Sequence, residues 1–292
     1  MIDKLVYYAL IIVSVLMFGG GFALNDTYRK MRGSNLKISL QFSLVGAFAG
    51  LIVLLIVNGF KVEFTPFTLI MALLSTLNGF AFTFCGFKAL GSINLSLYSL
   101  FSMLGGMVLP FVQGIIFFNE GLSLAKIVCF VFICLALLIT VERGERKKGT
   151  IYYVLIFILN GMSGVLSKIF TSAPYKKADA GSYSILISLS TFVIAMLILL
   201  IFFRNHGNES KNSVAAVGIS AAYGSLNKIA NFLLVIALAH VDASVQYPMV
   251  TGGVMIVSTA ICFFGKNKPS KKEILSVAVA FIGLLALFLI PI

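Results

Sequence analysis

Apolar residues fill this chain in ten long runs, and polar residues gather in the short segments between the runs. The runs fall near residues 4–25, 36–59, 66–88, 92–118, 122–142, 150–170, 182–204, 213–238, 241–264 and 271–291. Each run is long enough to cross a bilayer as an α-helix, which takes about 20 residues. The runs are continuously apolar, whereas the strands of a membrane barrel alternate over about ten residues. The pattern therefore predicts an all-α membrane protein with ten transmembrane helices.

Composition supports the same class. Hydrophobic residues make up 60% of the chain and the mean hydropathy is +1.05, which leaves too little polar surface for a soluble globule of this length. The net charge of +12 would suggest a nucleic-acid partner in a soluble protein, but Lys and Arg lie almost entirely between the runs. We therefore expect membrane lipids and no nucleic acid as partners, in a multi-pass protein of the cell membrane.

Residues that carry enzyme or metal chemistry are sparse inside the runs. The two histidines, His206 and His240, lie in or beside the connecting segments. The four cysteines show no zinc-ligand or redox spacing; they are Cys85, Cys129, Cys134 and Cys262. With no intramembrane cluster of His and Asp and no paired acids, the sequence predicts no cofactor, no metal and no enzyme activity.

Runs six to ten repeat landmarks of runs one to five in the same order. Thr76-Leu77-Asn78 recurs as Ser225-Leu226-Asn227, Ala89-Leu90 as Ala237-Leu238, Tyr98 as Tyr247, and Gly105-Gly106 as Gly252-Gly253. Each half holds an odd number of runs, so the second half must enter the membrane in the opposite sense to the first. The sequence thus predicts two inverted five-helix repeats, residues 1–146 and 147–292. Such repeats are an architecture of secondary transporters, whose substrate site lies between the halves near mid-membrane.

Several segments resemble a known family. Ala89-Leu90 is followed by a small and polar run into Tyr98, and the segment from Gly105 to Pro110 leads to Phe117-Phe118-Asn119-Glu120-Gly121-Leu122. With these segments the chain resembles the ten-helix drug/metabolite transporter superfamily, in its EamA-like branch. The resemblance covers the whole chain and implies a transporter, without specifying its substrate.

Lys228 lies near the middle of the run at 213–238, too far from either end to reach water easily. A charge inside the membrane is costly and marks a functional site by default. It belongs to a polar stripe at helical spacing, formed by Ser220, Tyr223, Gly224, Asn227, Lys228 and Asn231. We expect the stripe to face a cavity, with Lys228 attracting an anionic or zwitterionic group. The alternative is that Lys228 binds backbone carbonyls and that the asparagines join helices.

Further candidates for substrate binding follow from the repeat and from polar residues near the glycine pairs. They are Asn78, Tyr98, Tyr247, Gln246, Ser102 and Thr251. The tyrosines offer an aromatic face and a hydroxyl. We expect the glycines, including Gly46 and Gly50, to serve close helix packing, and Lys168 to extend its ammonium to water from near a run end.

The sequence predicts a secondary transporter that moves a small polar metabolite, anionic or zwitterionic, by alternating access. One alternative is a proton-coupled exporter of cationic drugs, but all ten Asp and Glu residues lie in connecting segments or at run ends. An anionic lipid headgroup as cargo is a further alternative. The protein is expected to be a monomer or a homodimer.

Orientation can be predicted in two ways that disagree. Of the 22 Lys and Arg residues, 15 lie in the segments after runs one, three, five, seven and nine. The positive-inside rule places those segments in the cytoplasm and both termini outside. The family resemblance implies that both termini lie in the cytoplasm.

Overall fold

The computed structural model describes residues 2–33, 35–92, 95–139, 150–203, 213–264 and 269–290. These residues form ten α-helices and no strand, which confirms the all-α prediction. The helices are α1 (Ile2–Arg32), α2 (Leu36–Val57), α3 (Pro66–Ser92), α4 (Leu95–Phe117), α5 (Leu124–Ile139), α6 (Thr150–Ser172), α7 (Ala180–Phe202), α8 (Val214–Leu238), α9 (Ala243–Phe264) and α10 (Lys271–Leu289). The predicted boundary between the halves, at 146/147, lies outside the described residues.

Eight helices in the described ranges are long and apolar enough to cross a membrane. They are α1, α2, α3, α4, α6, α7, α8 and α10. Helix α5 is apolar but has only 16 residues, and α9 is not among the eight. The chain is therefore a multi-pass membrane protein, and the number of ten spans stays a prediction.

Several helices begin at a polar residue that caps the first turn. Asn35 accepts a hydrogen bond from the Ile38 amide at 2.8 Å, and Ser213 caps α8 in the same way. Ser270 and Glu273 form a reciprocal capping box at the start of α10. Because a side-chain oxygen satisfies an amide that has no partner within the helix, these residues determine where the helices begin.

The two predicted halves are interleaved. Helix α1 packs on α8 and α9, α6 packs on α3 and α4, α2 packs on α7 and α8, and α5 packs on α10. In each of these pairs, one helix comes from residues 1–146 and the other from 147–292. The most extensive helix contacts thus join one half to the other, and the interior belongs to both.

Glycines allow the closest of these approaches, as predicted. Gly224 of α8 lies against the backbone of Gly46 in α2, so a Cβ on Gly224 would overlap the Gly46 carbonyl. Gly105 of α4 lies in the same way against the Phe157 backbone in α6. Small residues let two helix backbones meet where lipid offers no hydrophobic driving force. Three of the four helices that these glycines join, α2, α6 and α8, also enclose a cavity.

Candidate functional site

A cavity of about 470 Å³ lies between α2, α3, α6, α7 and α8, and so between the two predicted halves. Its polar lining consists of Ser43, Ser75, Thr76, Thr83, Asn160, Ser163, Ser167, Tyr183, Ser184, Thr191, Tyr223, Asn227, Lys228 and Asn231. No Asp or Glu is among the lining residues in the described part of the chain. The cavity is thus rich in hydroxyl and amide groups and contains one cation.

Lys228 lines this cavity from the middle of α8. Its stem packs on α2 at Gly50, where a Cβ would lie 2.5 Å from Cγ of Lys228. The side chain is partly exposed. The ion pairs and hydrogen bonds of the described residues do not include the Lys228 ammonium. In the described structure Lys228 therefore does not bind backbone carbonyls, as the alternative would require. Its ammonium is free to bind a ligand.

The predicted stripe reaches the same cavity with Tyr223, Gly224, Asn227 and Asn231, but not with Ser220, which is buried and donates to the Ala216 carbonyl at 2.9 Å. Asn231 donates from Nδ2 to the carbonyl of Asn227 at 2.8 Å and to its side-chain oxygen at 3.1 Å. The amide nitrogen of Asn227 is left to donate elsewhere, one residue from Lys228. The Tyr223 ring packs on the Phe42 ring at a tilt of 37°, with ring centroids 4.6 Å apart. Lys228 and Asn227 therefore supply hydrogen-bond donors to the cavity, beside an aromatic wall.

The hydroxyl groups of α6 and α7 were not predicted. Ser163 donates to the Asn160 carbonyl at 2.7 Å, Ser167 to the Ser163 carbonyl at 3.0 Å, and Thr191 to the Ile187 carbonyl at 2.7 Å. Each hydroxyl carries one proton and two acceptor lone pairs. Because their protons are bonded within their own helices, these groups offer acceptors to the cavity.

Gln246 and Tyr247 line a recess of about 80 Å³ on the α9 side. Gln246 donates from Nε2 to the Leu234 carbonyl at 3.1 Å, and the Tyr247 hydroxyl donates to the Gly164 carbonyl at 3.0 Å. The recess shares Ser163 and Asn231 with the main cavity. These two predicted residues thus lie at a side branch of the cavity.

The remaining candidates do not line either space among the described residues. Asn78 donates to the Leu159 carbonyl at 2.9 Å and so joins α3 to α6. The Ser102 carbonyl accepts from Asn160 Nδ2 at 2.6 Å. Thr251 lies on α9 and is partly buried, and the Tyr98 side chain lies outside the described part. A role in substrate binding stays a prediction for these four residues.

A second polar cluster surrounds Glu120, in the segment between α4 and α5. The Lys168 ammonium lies 2.7 Å from Glu120 Oε1, with exposed side-chain fractions of 9% and 4%. Oε1 also accepts the Ala243 amide at 2.8 Å, and Oε2 accepts the Ser244 amide at 2.9 Å and its hydroxyl at 2.6 Å. Gly114 leaves room for this carboxylate, since a Cβ there would lie 2.5 Å from Oε2. Glu120 thereby joins α4, α6 and the first turn of α9.

Burial raises the pKa of the Glu120 carboxyl, but hydrogen bonds from Lys168, from Ser244 and from the Ala243 amide outweigh it and hold the pKa below its usual value. The carboxylate therefore stays ionised. Lys126 and Asp242 form a second ion pair at 2.7 Å, in which Lys126 is buried. The expectation that Lys168 extends to water is wrong, because its ammonium is buried against Glu120.

The comparisons with known proteins support the fold alone. No family model matches the chain, and no curated protein matches it. The fold recurs among solved structures, since 29 chains match it. One crystal structure superposes with a TM-score of 0.75 over 97% of this chain and 98% of its own, at 15% sequence identity. The shared fold therefore extends over essentially the whole of both chains.

Proposed function

We propose that this protein is a secondary transporter for a small organic anion or zwitterion in the cell membrane. The observation that carries the proposal is the unpaired Lys228 in a polar cavity whose described lining contains no carboxylate. A charge inside the membrane is costly without a partner, and a bound acid group supplies the missing partner. A cavity of about 470 Å³ has the size of a small-molecule site.

Lys228 holds the acid group in this proposal, and Asn227 donates to one of its oxygens. Tyr223 and Asn231 flank the cargo, and the hydroxyl groups of α6 and α7 accept its hydrogen-bond donors. A cationic drug finds no carboxylate in the described lining of this site and meets the like charge of Lys228 instead. The lining thus favours an anionic or zwitterionic metabolite over the cationic alternative.

Ten transmembrane helices in two inverted repeats would allow alternating access. The helix neighbours support this arrangement. In two repeats of five helices, α1 corresponds to α6, α3 to α8 and α4 to α9. The packing of α1 on α8 and α9 then corresponds to the packing of α6 on α3 and α4. The cavity lies between the halves, as substrate sites do in transporters of this design. Rocking of one half against the other would then expose Lys228 first to one side of the membrane and then to the other.

Replacing Lys228 by Met tests the proposal. The change removes the charge and retains the length that packs on Gly50, so the protein should fold while organic anions no longer raise its melting temperature. Purified parent and variant are compared in a thermal-shift screen of metabolites grouped by charge, followed by uptake into proteoliposomes. A bound cargo stabilises the folded form by mass action, by about 2.7 kcal/mol at 100 times its Kd.

The matched control is Lys61→Met, the same change at an exposed lysine between α2 and α3. It should retain both the melting shift and uptake. Anion binding that persists in Lys228→Met rules out this site. A melting shift that only organic cations produce supports the exporter of cationic drugs in its place.

Cysteine labelling decides the orientation that the sequence leaves open. In a background with the native cysteines changed to Ala, we compare Lys61→Cys with Val214→Cys, since Val214 is 90% exposed. If the basic segments lie in the cytoplasm, the Val214→Cys variant reacts only with a membrane-permeant reagent, and the Lys61→Cys variant also reacts with an impermeant one. The reverse pattern places both termini in the cytoplasm.

A further inference from the structure

The side-chain oxygen of Gln246 is buried without a hydrogen-bond partner among the described residues. The residue is 1% exposed, and its Nε2 donates to the Leu234 carbonyl at 3.1 Å. Since a carbonyl can only accept, this bond fixes which end of the amide is nitrogen. An unpaired buried acceptor costs about 1–3 kcal/mol, so a partner from outside the protein is expected at this oxygen.

The recess of about 80 Å³ that Gln246 lines is large enough for such a partner. It holds about two or three water molecules, at roughly 30 Å³ each, or one compact polar head group. Ser163 and Ser167 line both the recess and the main cavity, and their protons are bonded to carbonyls of α6. The recess is thus a continuation of the cavity whose polar lining accepts hydrogen bonds.

Gln246 is held firmly in this position. It is the fourth residue of α9, and the amides of the first two residues are bonded to Glu120. The next residue, Tyr247, donates to the Gly164 carbonyl at 3.0 Å. These contacts hold the backbone on both sides of Gln246, and the bond to Leu234 orients its side-chain amide, which is what a selective contact requires.

We propose that this recess is a second subsite, which binds a hydrogen-bond donor at the far end of the cargo, and that Gln246 is a specificity-determining residue. The inference rests on the proposed function, in which Lys228 holds the acid group. The donor is an ammonium or hydroxyl group, because the described lining of the recess offers acceptors and no acid. The cavity thus has a donor end at Lys228 and Asn227 and an acceptor end at Gln246.

The register of α8 sets the distance between the two ends. Leu234, which binds Gln246, follows Lys228 by six residues on α8, or about 9 Å along the helix axis at 1.5 Å per residue. A donor several bonds from the acid group matches this spacing better than a donor on the neighbouring carbon does. The cargo therefore carries its donor several bonds away from its acid group.

Two isomeric probes test this geometry. In 6-aminohexanoate the ammonium lies at the opposite end from the carboxylate, and in 2-aminohexanoate it lies beside the carboxylate, while formula and net charge are the same. Hexanoate lacks the donor. The parent protein should bind 6-aminohexanoate at least about fivefold more tightly than either other probe. This factor corresponds to the smallest free-energy cost expected for leaving a buried acceptor without a hydrogen bond. Affinity is read from ligand-dependent melting shifts.

Gln246→Met has a similar shape without the acceptor, and it should bind the two isomers about equally. The matched control is Gln113→Met, because Gln113 is also a buried glutamine with an unpaired oxygen, yet it lines neither space. It should retain the preference. Melting temperatures without ligand show whether each variant is folded.

The outcomes separate the two proposals. If no carboxylate binds in a way that Lys228→Met abolishes, the proposed function fails. If hexanoate binding depends on Lys228 but the parent does not distinguish the isomers, the second subsite is wrong and the proposed function stands. The subsite is also wrong if Gln113→Met loses the preference as Gln246→Met does.

Discussion

Replacing Glu120 by Gln should lower the free energy of unfolding by about 3–5 kcal/mol. The change leaves Lys168 charged and buried, with an exposed side-chain fraction of 9%, and without its counter-ion. It also replaces one acceptor oxygen by an NH₂ group, which faces either the Ala243 amide and the Lys168 ammonium or the amide and hydroxyl of Ser244. Chemical unfolding of purified protein in detergent measures the loss.

Two comparisons make this prediction specific. Asp26→Asn breaks an ion pair of 2.5 Å in which both side chains are about 60% exposed, and it should cost at most about 1 kcal/mol. The double variant Glu120→Gln with Lys168→Met should recover part of the loss, because no buried charge is left unpaired. A Glu120→Gln variant as stable as Asp26→Asn would show that the buried pair contributes nothing net.

The same pair predicts a loss of stability in acid. The pKa of Glu120 is lower in the folded protein than its ordinary value, which is about 4.3 in an unfolded chain. Its contribution is therefore complete above about pH 4.3 and is lost as the pH falls through the depressed pKa. Unfolding of parent and Glu120→Gln should converge in that acid range, and parallel curves would contradict the assignment.

The second large effect is expected from Gly224→Ala. A Cβ at this position overlaps the backbone of Gly46. A side chain could change rotamer to avoid the overlap, but a helix backbone cannot, so α2 and α8 must separate. Overpacking of this kind costs about 1–3 kcal/mol. Lys228 lies one turn further along α8, so the variant should also weaken anion binding.

Gly218→Ala is the matched control on the same helix, because a Cβ there meets no atom within 4 Å. It should stabilise the protein by roughly 0.5–1 kcal/mol through the higher helix propensity of Ala. Opposite signs for the two substitutions, read from unfolding curves, support the contact between α2 and α8. Equal effects would show that the helices can separate at no cost.

Local signals were enough to predict the helices. The apolar run at 213–238 became α8 (Val214–Leu238), because Ser213 caps its first turn. Helix α1 is longer than the run at 4–25, since Lys30 pairs with Asp26 and Tyr28 packs on Phe42 beyond it. A hydropathy pattern does not reveal contacts of charged and aromatic side chains, so the last turns of α1 could not be predicted.

The candidate site was predictable only where a residue is unusual in its run. Lys228 stands out as a charge in an apolar helix, and its stripe led to the cavity. Ser163 gave no such signal, because a serine in a membrane helix commonly bonds its own backbone, as this one does. The contact between Glu120 and Lys168 depends on how α4, α6 and α9 meet, which no local pattern encodes.

The interleaving of the halves has a consequence for synthesis in the cell. Helix α1 forms its main contacts with α8, including a hydrogen bond of 3.1 Å from Ser14 to the Ala230 carbonyl, 216 residues later in the chain. At about 5–20 residues per second, the ribosome needs roughly 10–40 s to make that distance. Throughout this interval the contact face of α1, with the Ser14 hydroxyl and the glycines of α1, lacks its main partner α8. The early helices must therefore be stable in the bilayer as separate spans, and the packed interior can form only when most of the chain has been inserted.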